Sequence, residues 1–117
     1  HAAAARATAL VREGRAQALM KGSLHTDEFM AAVIDADAGL RTERRMSHVF
    51  ALDVPTYPKP LFITDAAINI APDLVHKRDI AQNAIDLAHA LGIALPRVAV
   101  LSAVETVNPK IPSTLLP

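Results

Sequence analysis

The sequence predicts an α/β fold with a mainly parallel sheet, and three observations carry that expectation. Short apolar runs alternate with segments of helical periodicity, the order in which βα units follow one another. The runs at residues 61–64 and 97–103 are apolar almost without interruption, as are strands covered on both faces. Between them Ile80, Ala81, Ala84, Ile85, Leu87, Ala88 and Leu91 recur on one helical face.

Residues 2–13 are rich in helix formers, and Gly14 suits the left-handed position just past a helix end. Residues 16–20 read as a short buried strand. A turn over residues 23–28 then becomes a helix, with Ser23 or Thr26 as its cap, Asp27 and Glu28 in its first turn, and Phe29, Val33 and Ile34 at helical spacing. Gly39 closes that helix, and Arg41, Thr42, Glu43, Arg44 and Arg45 form a charged connector into a strand at residues 46–54. Pro55, Pro58 and Pro60 end the strand, because proline cannot donate to a sheet ladder. The strand at 61–64 leads through residues 65–71 into the amphipathic helix, with Pro72 and Asp73 at its start and Gly92 beyond its last turn. Residues 97–103 close the pattern as a further buried strand.

A chain of 117 residues can form one domain, or one and a fraction, around a real core. Hydrophobic residues make up 51% of it and charged ones 21%, with Lys+Arg and Asp+Glu both at 12, which speaks against disorder and against an electrostatic nucleic-acid binder. Cysteine is absent, so disulfide scaffolds, thiol nucleophiles and cysteine-bearing zinc sites are excluded; a cytoplasmic setting is the expectation. No apolar run approaches the roughly 20 residues of a membrane-spanning helix, so no membrane partner is expected. The chain starts at His1 rather than Met and stops after Leu116 and Pro117 without a closing element, so both ends read as cut.

Ligands of open α/β sheets sit beyond the carboxyl ends of the strands, where loops converge. Three polar loops take that place here. The first joins Lys21, Gly22, Ser23, His25 and Thr26 ahead of a helix, a reasonable cradle for an anion; the alternative is that Ser23 or Thr26 only caps the helix. Lys21 precedes the glycine, so this is not a Walker loop. In the second, Asp65 and Asn69 could hold a hydroxyl, a carbonyl or a phosphate oxygen, or satisfy backbone groups of their own turn. The third offers Ser102, Glu105, Asn108 and Lys110, stiffened by Pro109 and Pro112.

No metal site is expected, since His25, His48, His76 and His89 lie far apart and carry no HExxH pattern; His76 and His89 read as helix-surface residues. Ser23, His25 and Asp65 could be assembled into a triad on paper, but the strained Gly-x-Ser-x-Gly elbow is missing. Arg41, Arg44 and Arg45 could meet an acidic ligand such as a coenzyme A phosphate, or be a solvated connector.

Four stretches in order narrow the reading: Leu19-Met20-Lys21-Gly22-Ser23-Leu24-His25-Thr26, Arg45-Met46-Ser47-His48-Val49-Phe50, Phe62-Ile63-Thr64-Asp65-Ala66-Ala67-Ile68-Asn69-Ile70-Ala71-Pro72, and Leu101-Ser102 through Asn108-Pro109-Lys110 to Ser113-Thr114. Together they resemble the phosphate acetyl/butyryl-transferase family, phosphotransacetylase and phosphate butyryltransferase-like enzymes, nearest to the butyryltransferase branch, so the chain reads as an internal piece of such an enzyme. The resemblance implies a three-layer α/β/α fold with a mainly parallel sheet, similar to the isocitrate and isopropylmalate dehydrogenases and incomplete in this chain. Residues 1–40 would end its first α/β domain and residues 46–117 supply part of the second. It also implies acyl transfer, acetyl or butyryl, between coenzyme A and inorganic phosphate, performed by the full-length parent and not by this stretch alone. Coenzyme A would be a substrate, with no cofactor or metal, in a homodimer that in some bacterial relatives carries a fused enoyl-CoA hydratase module.

On that resemblance Ser23, His25 and Thr26 would contact the acyl phosphate, while Asp65, Asn69 and Ser102 would line the cleft. The catalytic residues would lie outside these residues, near the carboxyl terminus of the parent. Two other classes stand beside this one. One is a decarboxylating dehydrogenase, which would need a dinucleotide fingerprint and a carboxylate cluster, and neither is present. The other is a non-catalytic ligand-binding or dimerisation module of the same fold.

Overall fold

The computed structural model describes residues 2–115, a mixed α/β chain of helices α1 (Ala2–Arg12) and α2 (Thr26–Val33), strands β1 (Val49–Leu52) and β2 (Leu61–Thr64), helix α3 (Leu74–Ala90) and a 3₁₀ turn over Pro112–Thr114. The chain divides into two units, one ending at Arg44 and the other starting at Arg45.

In the first unit α1 packs against α2. Ala4 and Thr8, one turn apart, are buried, and their small side chains let the helices approach closely. The Thr8 hydroxyl finds no hydrogen-bond partner among the described residues. Helix α1 stops as its sequence implies: Gly14 takes φ 74°, the Gly14 N–H donates to Val11 O at 3.0 Å and the Arg15 N–H to Leu10 O at 2.9 Å. That paired closure satisfies two carbonyls the helix end would otherwise leave open.

Three expectations for this unit are corrected. Residues 16–20 form no strand: Met20 is 98% exposed, and the described sheet offers them no hydrogen-bonding neighbour. Neither Ser23 nor Thr26 caps α2; His25 occupies the N-cap position through its backbone, without a side-chain cap, and Asp27 and Glu28 complement the helix dipole instead. The helix ends at Val33, well before Gly39. Asp35 Oδ1 accepts the N–H groups of Asp37 and Ala38 at 2.9 and 2.7 Å, opening a turn that returns the Leu40 N–H to Val33 O at 2.7 Å. Gly39 is needed inside that turn, because a Cβ there would clash with the Val33 and Asp35 carbonyl oxygens.

In the second unit β1 and β2 pair antiparallel, with Val49 opposite Thr64, Phe50 opposite Ile63, Ala51 opposite Phe62 and Leu52 opposite Leu61. The sequence expectation was a mainly parallel sheet, and this pair departs from it. Residues 53–60 explain the difference: a parallel crossover takes a dozen or more residues, roughly, whereas this proline-bearing link is long enough only to reverse the chain. Strand β1 is also shorter than the expected 46–54. Side-chain amides intercept the backbone ahead of it, with Asn83 Nδ2 donating to Arg45 O at 2.8 Å and Asn69 Nδ2 to Met46 O at 3.0 Å.

Helix α3 packs on β2. Asp73 caps it, accepting the His76 N–H at 2.8 Å, and Gly92 (φ 87°) closes it with the same paired bonds as at Gly14, from Gly92 to His89 and from Ile93 to Ala88. Ile80 and Ala88 are buried at 8% and 2% exposure, while Leu91, expected on the apolar face, is exposed at the C-cap. Residues 97–103 form no strand. Val98, Val100 and Leu101 are exposed, Leu101 at 86%, because no described strand runs beside them.

Replacing Asp73 by Ala should cost about 1 kcal/mol through the lost cap, and Ile80→Ala about 2–5 kcal/mol through the cavity under α3. Equilibrium urea unfolding of each variant reads both values directly.

Candidate functional site

The polar side chains of the second unit converge where the segment before β1, the loop after β2 and the start of α3 meet. Asp65 follows β2 directly and turns its carboxylate back into residues 66–69. Its Oδ1 accepts the N–H groups of Ala67 and Ile68 at 3.2 and 2.8 Å, and its Oδ2 accepts the Asn69 N–H at 3.1 Å and also the Asn69 side-chain amide. Burial works to raise the Asp65 pKa, but the Ile68 N–H, the Asn69 amide and the N–H groups of Ala67 and Asn69 together hold it below its ordinary 3.8.

The Asn69 amide is oriented by its partners. Its Nδ2 donates to Asp65 Oδ2 and Met46 O, so Oδ1 faces outward and accepts Arg45 Nε at 2.6 Å. Arg45 Nη1 lies 3.5 Å from His76 Nε2, and His76 Nδ1 lies 3.3 Å from Asp73 Oδ1. A proton on Nδ1 satisfies both ends of that imidazole. The Arg45 backbone is held as well: its N–H donates to Asp79 Oδ2 at 3.1 Å, and its carbonyl accepts from Asn83, which also donates to Ser47 Oγ at 2.9 Å. His48 places its ring edge-on to Phe50 with centroids 4.3 Å apart, its carbonyl accepts from Thr64 Oγ1 at 2.9 Å, and its buried Nδ1 has no partner among the described residues.

Of the residues singled out in the sequence, the structure joins Asp65 and Asn69 directly. Both satisfy their own turn, the alternative left open at the sequence level, and Asn69 also carries Arg45. Ser102 lies in the same unit but in a separate loop, where its Oγ is 3.4 Å from Ser113 Oγ; that loop closes on itself, the Asn108 N–H donating to Thr114 Oγ1 at 2.9 Å. Ser23, His25 and Thr26 belong to the first unit, exposed, with no side-chain hydrogen bond among the described residues; Lys21 beside them donates to Gly22 O at 3.1 Å. No Ser23, His25 and Asp65 triad is formed, since the Asp65 oxygens are taken by their own loop.

His76, Asp79 and Asn83 were missed as a group. They lie at helical spacing along one edge of α3, beside the apolar positions 80, 84 and 87, and that polar stripe was the signal that could have found them. Among the described residues no group of three or more His, Asp or Glu is placed to hold a metal ion, and no helix is long and apolar enough to cross a membrane. A groove of about 340 Å³ at the hairpin link, lined by Leu52, Tyr57, Lys59 and Phe62 among others, shares no lining residue with the polar convergence.

Because the folded-state pKa of Asp65 lies below the unfolded one, its contribution to stability is fully present above 3.8 and is lost as pH falls through the lowered value. The gap in urea midpoint between the native protein and Asp65→Asn should therefore be widest near neutrality and should close in acid; a gap independent of pH would show that the carboxylate charge does not hold the loop.

Residues 2–115 match the family described as phosphate acetyl/butaryl transferase. A phosphate acetyltransferase of Rhizobium meliloti is 68% identical over 115 residues, 98% of this chain and 36% of that protein. A phosphate butyryltransferase of Clostridium acetobutylicum is 45% identical over 113 residues, 97% of this chain and 38% of that protein. Nearness to the butyryltransferase branch is thus not what identity shows. The crystal structure of a branched-chain phosphotransacylase from Enterococcus faecalis V583 superposes with a TM-score of 0.81 at 37% identity, over 96% of this chain and 40% of that one. The chain spans little more than a third of the length of the two curated relatives, and, matched from residue 2 to residue 115, it belongs to the phosphate acetyl/butaryl transferase family.

Proposed function

We propose that the whole protein carrying these residues transfers a short acyl group, acetyl or butyryl, between coenzyme A and inorganic phosphate. The family match across residues 2–115 carries this reading. The coenzyme A thiol loses its proton to a base and attacks the carbonyl carbon of the acyl phosphate. The carbon–sulfur bond forms, the bond to the phosphate oxygen breaks, and phosphate leaves with its electron pair. Such a step needs a base near the thiol and donors around the carbonyl oxygen and the phosphate.

Ser23, His25 and Thr26 serve as acyl-phosphate contacts in this reading, supported by their exposure and by their lack of other side-chain partners among the described residues. Asp65 and Asn69 line the cleft by fixing the loop that ends β2, and Ser102 lines it from its own loop. The base lies outside residues 1–117 in this reading, so this stretch alone is inactive. Coenzyme A enters as substrate, with no resident cofactor, in a cytoplasmic enzyme.

The fold proposed for the whole protein is a three-layer α/β/α arrangement with a mainly parallel sheet, like the isocitrate and isopropylmalate dehydrogenases. Residues 1–40 and 46–117 belong there to successive domains, and the β1–β2 hairpin is an antiparallel part of a mixed sheet. Exposed Ile70, Leu95 and Leu101 support the reading, as apolar groups that further chain or a second copy in a homodimer would cover.

Thiol release from acetyl-CoA and butyryl-CoA, with and without phosphate, tests the activity on the whole protein and on residues 1–117 side by side. Phosphate-dependent release by the whole protein alone is expected; none from either would favour a binding or dimerisation module. Ser23→Ala and Thr26→Ala should each weaken the phosphate contact by about 1–3 kcal/mol, seen as a raised KM for phosphate. Unchanged constants in both variants would leave the loop without a contact role.

A further inference from the structure

We infer that Arg45 is a preformed phosphate-binding group of the second unit, an inference that rests on the acyl-transfer reading for the identity of its ligand. The chemistry is that of a phosphate oxyanion, whether free phosphate and the phosphoryl end of the acyl phosphate, or the ribose phosphate ester of coenzyme A.

An exposed arginine ordinarily keeps its rotamer freedom and its hydration. Arg45 is exposed, yet it is held at both ends: by its backbone through Asp79 and Asn83, and by its side chain through Nε on Asn69 Oδ1 at 2.6 Å and Nη1 facing His76. Neither side-chain partner is a carboxylate, so neither forms an ion pair with the guanidinium. The neighbouring carboxylates are each committed elsewhere. Asp65 is spent on its loop, Asp73 on the start of α3 and on His76, and Asp79 on the Arg45 N–H with its other oxygen 3.6 Å from Arg78. Among the described residues no carboxylate pairs with the Arg45 guanidinium.

Of the five N–H donors of a guanidinium, one is on Asn69 and one faces His76, which leaves one N–H of Nη1 and both of Nη2 without a partner among the described residues. A guanidinium fixed through Nε with its outer edge open presents the planar fork that phosphate oxygens accept in pairs. The side chain is thus ordered before any ligand arrives, and binding need not supply that entropy.

The test uses the whole protein, native and as Arg45→Gln, Arg45→Lys and His76→Glu, titrated calorimetrically with inorganic phosphate, coenzyme A and dephospho-coenzyme A. The anchors of the segment are the main-chain groups of residue 45, which Gln and Lys retain, and a urea midpoint for each variant confirms folding. His76→Glu leaves the Asn69 contact in place and sets a carboxylate against the fork. If free phosphate is the ligand, Arg45→Gln and His76→Glu weaken inorganic phosphate by roughly 10- to 100-fold, with coenzyme A unchanged. If the ester is the ligand, both variants lose the preference for coenzyme A over dephospho-coenzyme A, with phosphate unchanged. Arg45→Lys, with the charge but not the fork, falls between. Equal affinities of the native and both charge-altering variants for all three probes, or no binding by the native protein, would overturn the assignment. Because the titrations need no turnover, a native protein that binds phosphate through Arg45 yet releases no thiol would defeat the acyl-transfer reading alone.

Discussion

The Asp65 carboxylate is the interaction on which the second unit turns. It sits at the end of a strand, where four donors converge on two oxygens, three of them backbone N–H groups of its own loop. Without it those N–H groups would turn to water, and the loop would lose bonds to a charged acceptor that contribute about 1.5–3 kcal/mol each. The carboxylate also decides the next contact outward. By taking the Asn69 amide nitrogen it turns the Asn69 oxygen toward Arg45, so one negative charge orders a positive one without touching it. Charge-assisted bonds to backbone donors are stronger than neutral ones, which is why a short loop can carry this chain of consequences.

Helix α3 supplies the other half of the arrangement. Its apolar side packs on β2 with Ile80 buried, and that packing fixes the rotation of the helix. Once Ile80 points inward, His76, Asp79 and Asn83 must lie along an adjoining edge, because residues three and four apart share a helix side. From there Asp79 and Asn83 take the Arg45 N–H and C=O, and Asn83 also reaches Ser47. These side chains stand in for a neighbouring strand, and β1 starts only at Val49 as a result.

Much of the local structure was legible in the residues. Gly14 and Gly92 end their helices through the positive φ that glycine accepts at little cost, Asp73 caps α3, and residues 61–64 form a strand with the expected bounds. The misreadings share a cause. Residues 16–20 and 97–103 have strand-like composition, but a strand exists only with a partner, and no described strand lies beside either. The antiparallel pairing of β1 and β2 was present in the length of residues 53–60 and was overridden by the alternation of elements along the whole chain. In the candidate site, Asp65 and Asn69 could be picked out as a pair, whereas Arg45 read as part of a charged connector, because its partners come from residues 24 and 31 positions away.

By itself the sequence determined part of what depends on near neighbours: the glycine closures of α1 and α3, the Asp73 cap and the order of family-like blocks, though not the cap or the end of α2. These follow from backbone conformations and hydrogen bonds that span a few residues. Tertiary structure alone decided which edge of α3 faces Arg45 and that Asn69 presents its oxygen to the guanidinium. Those outcomes join residues far apart in the chain, and their energies exist only once packing has brought the partners within hydrogen-bond reach.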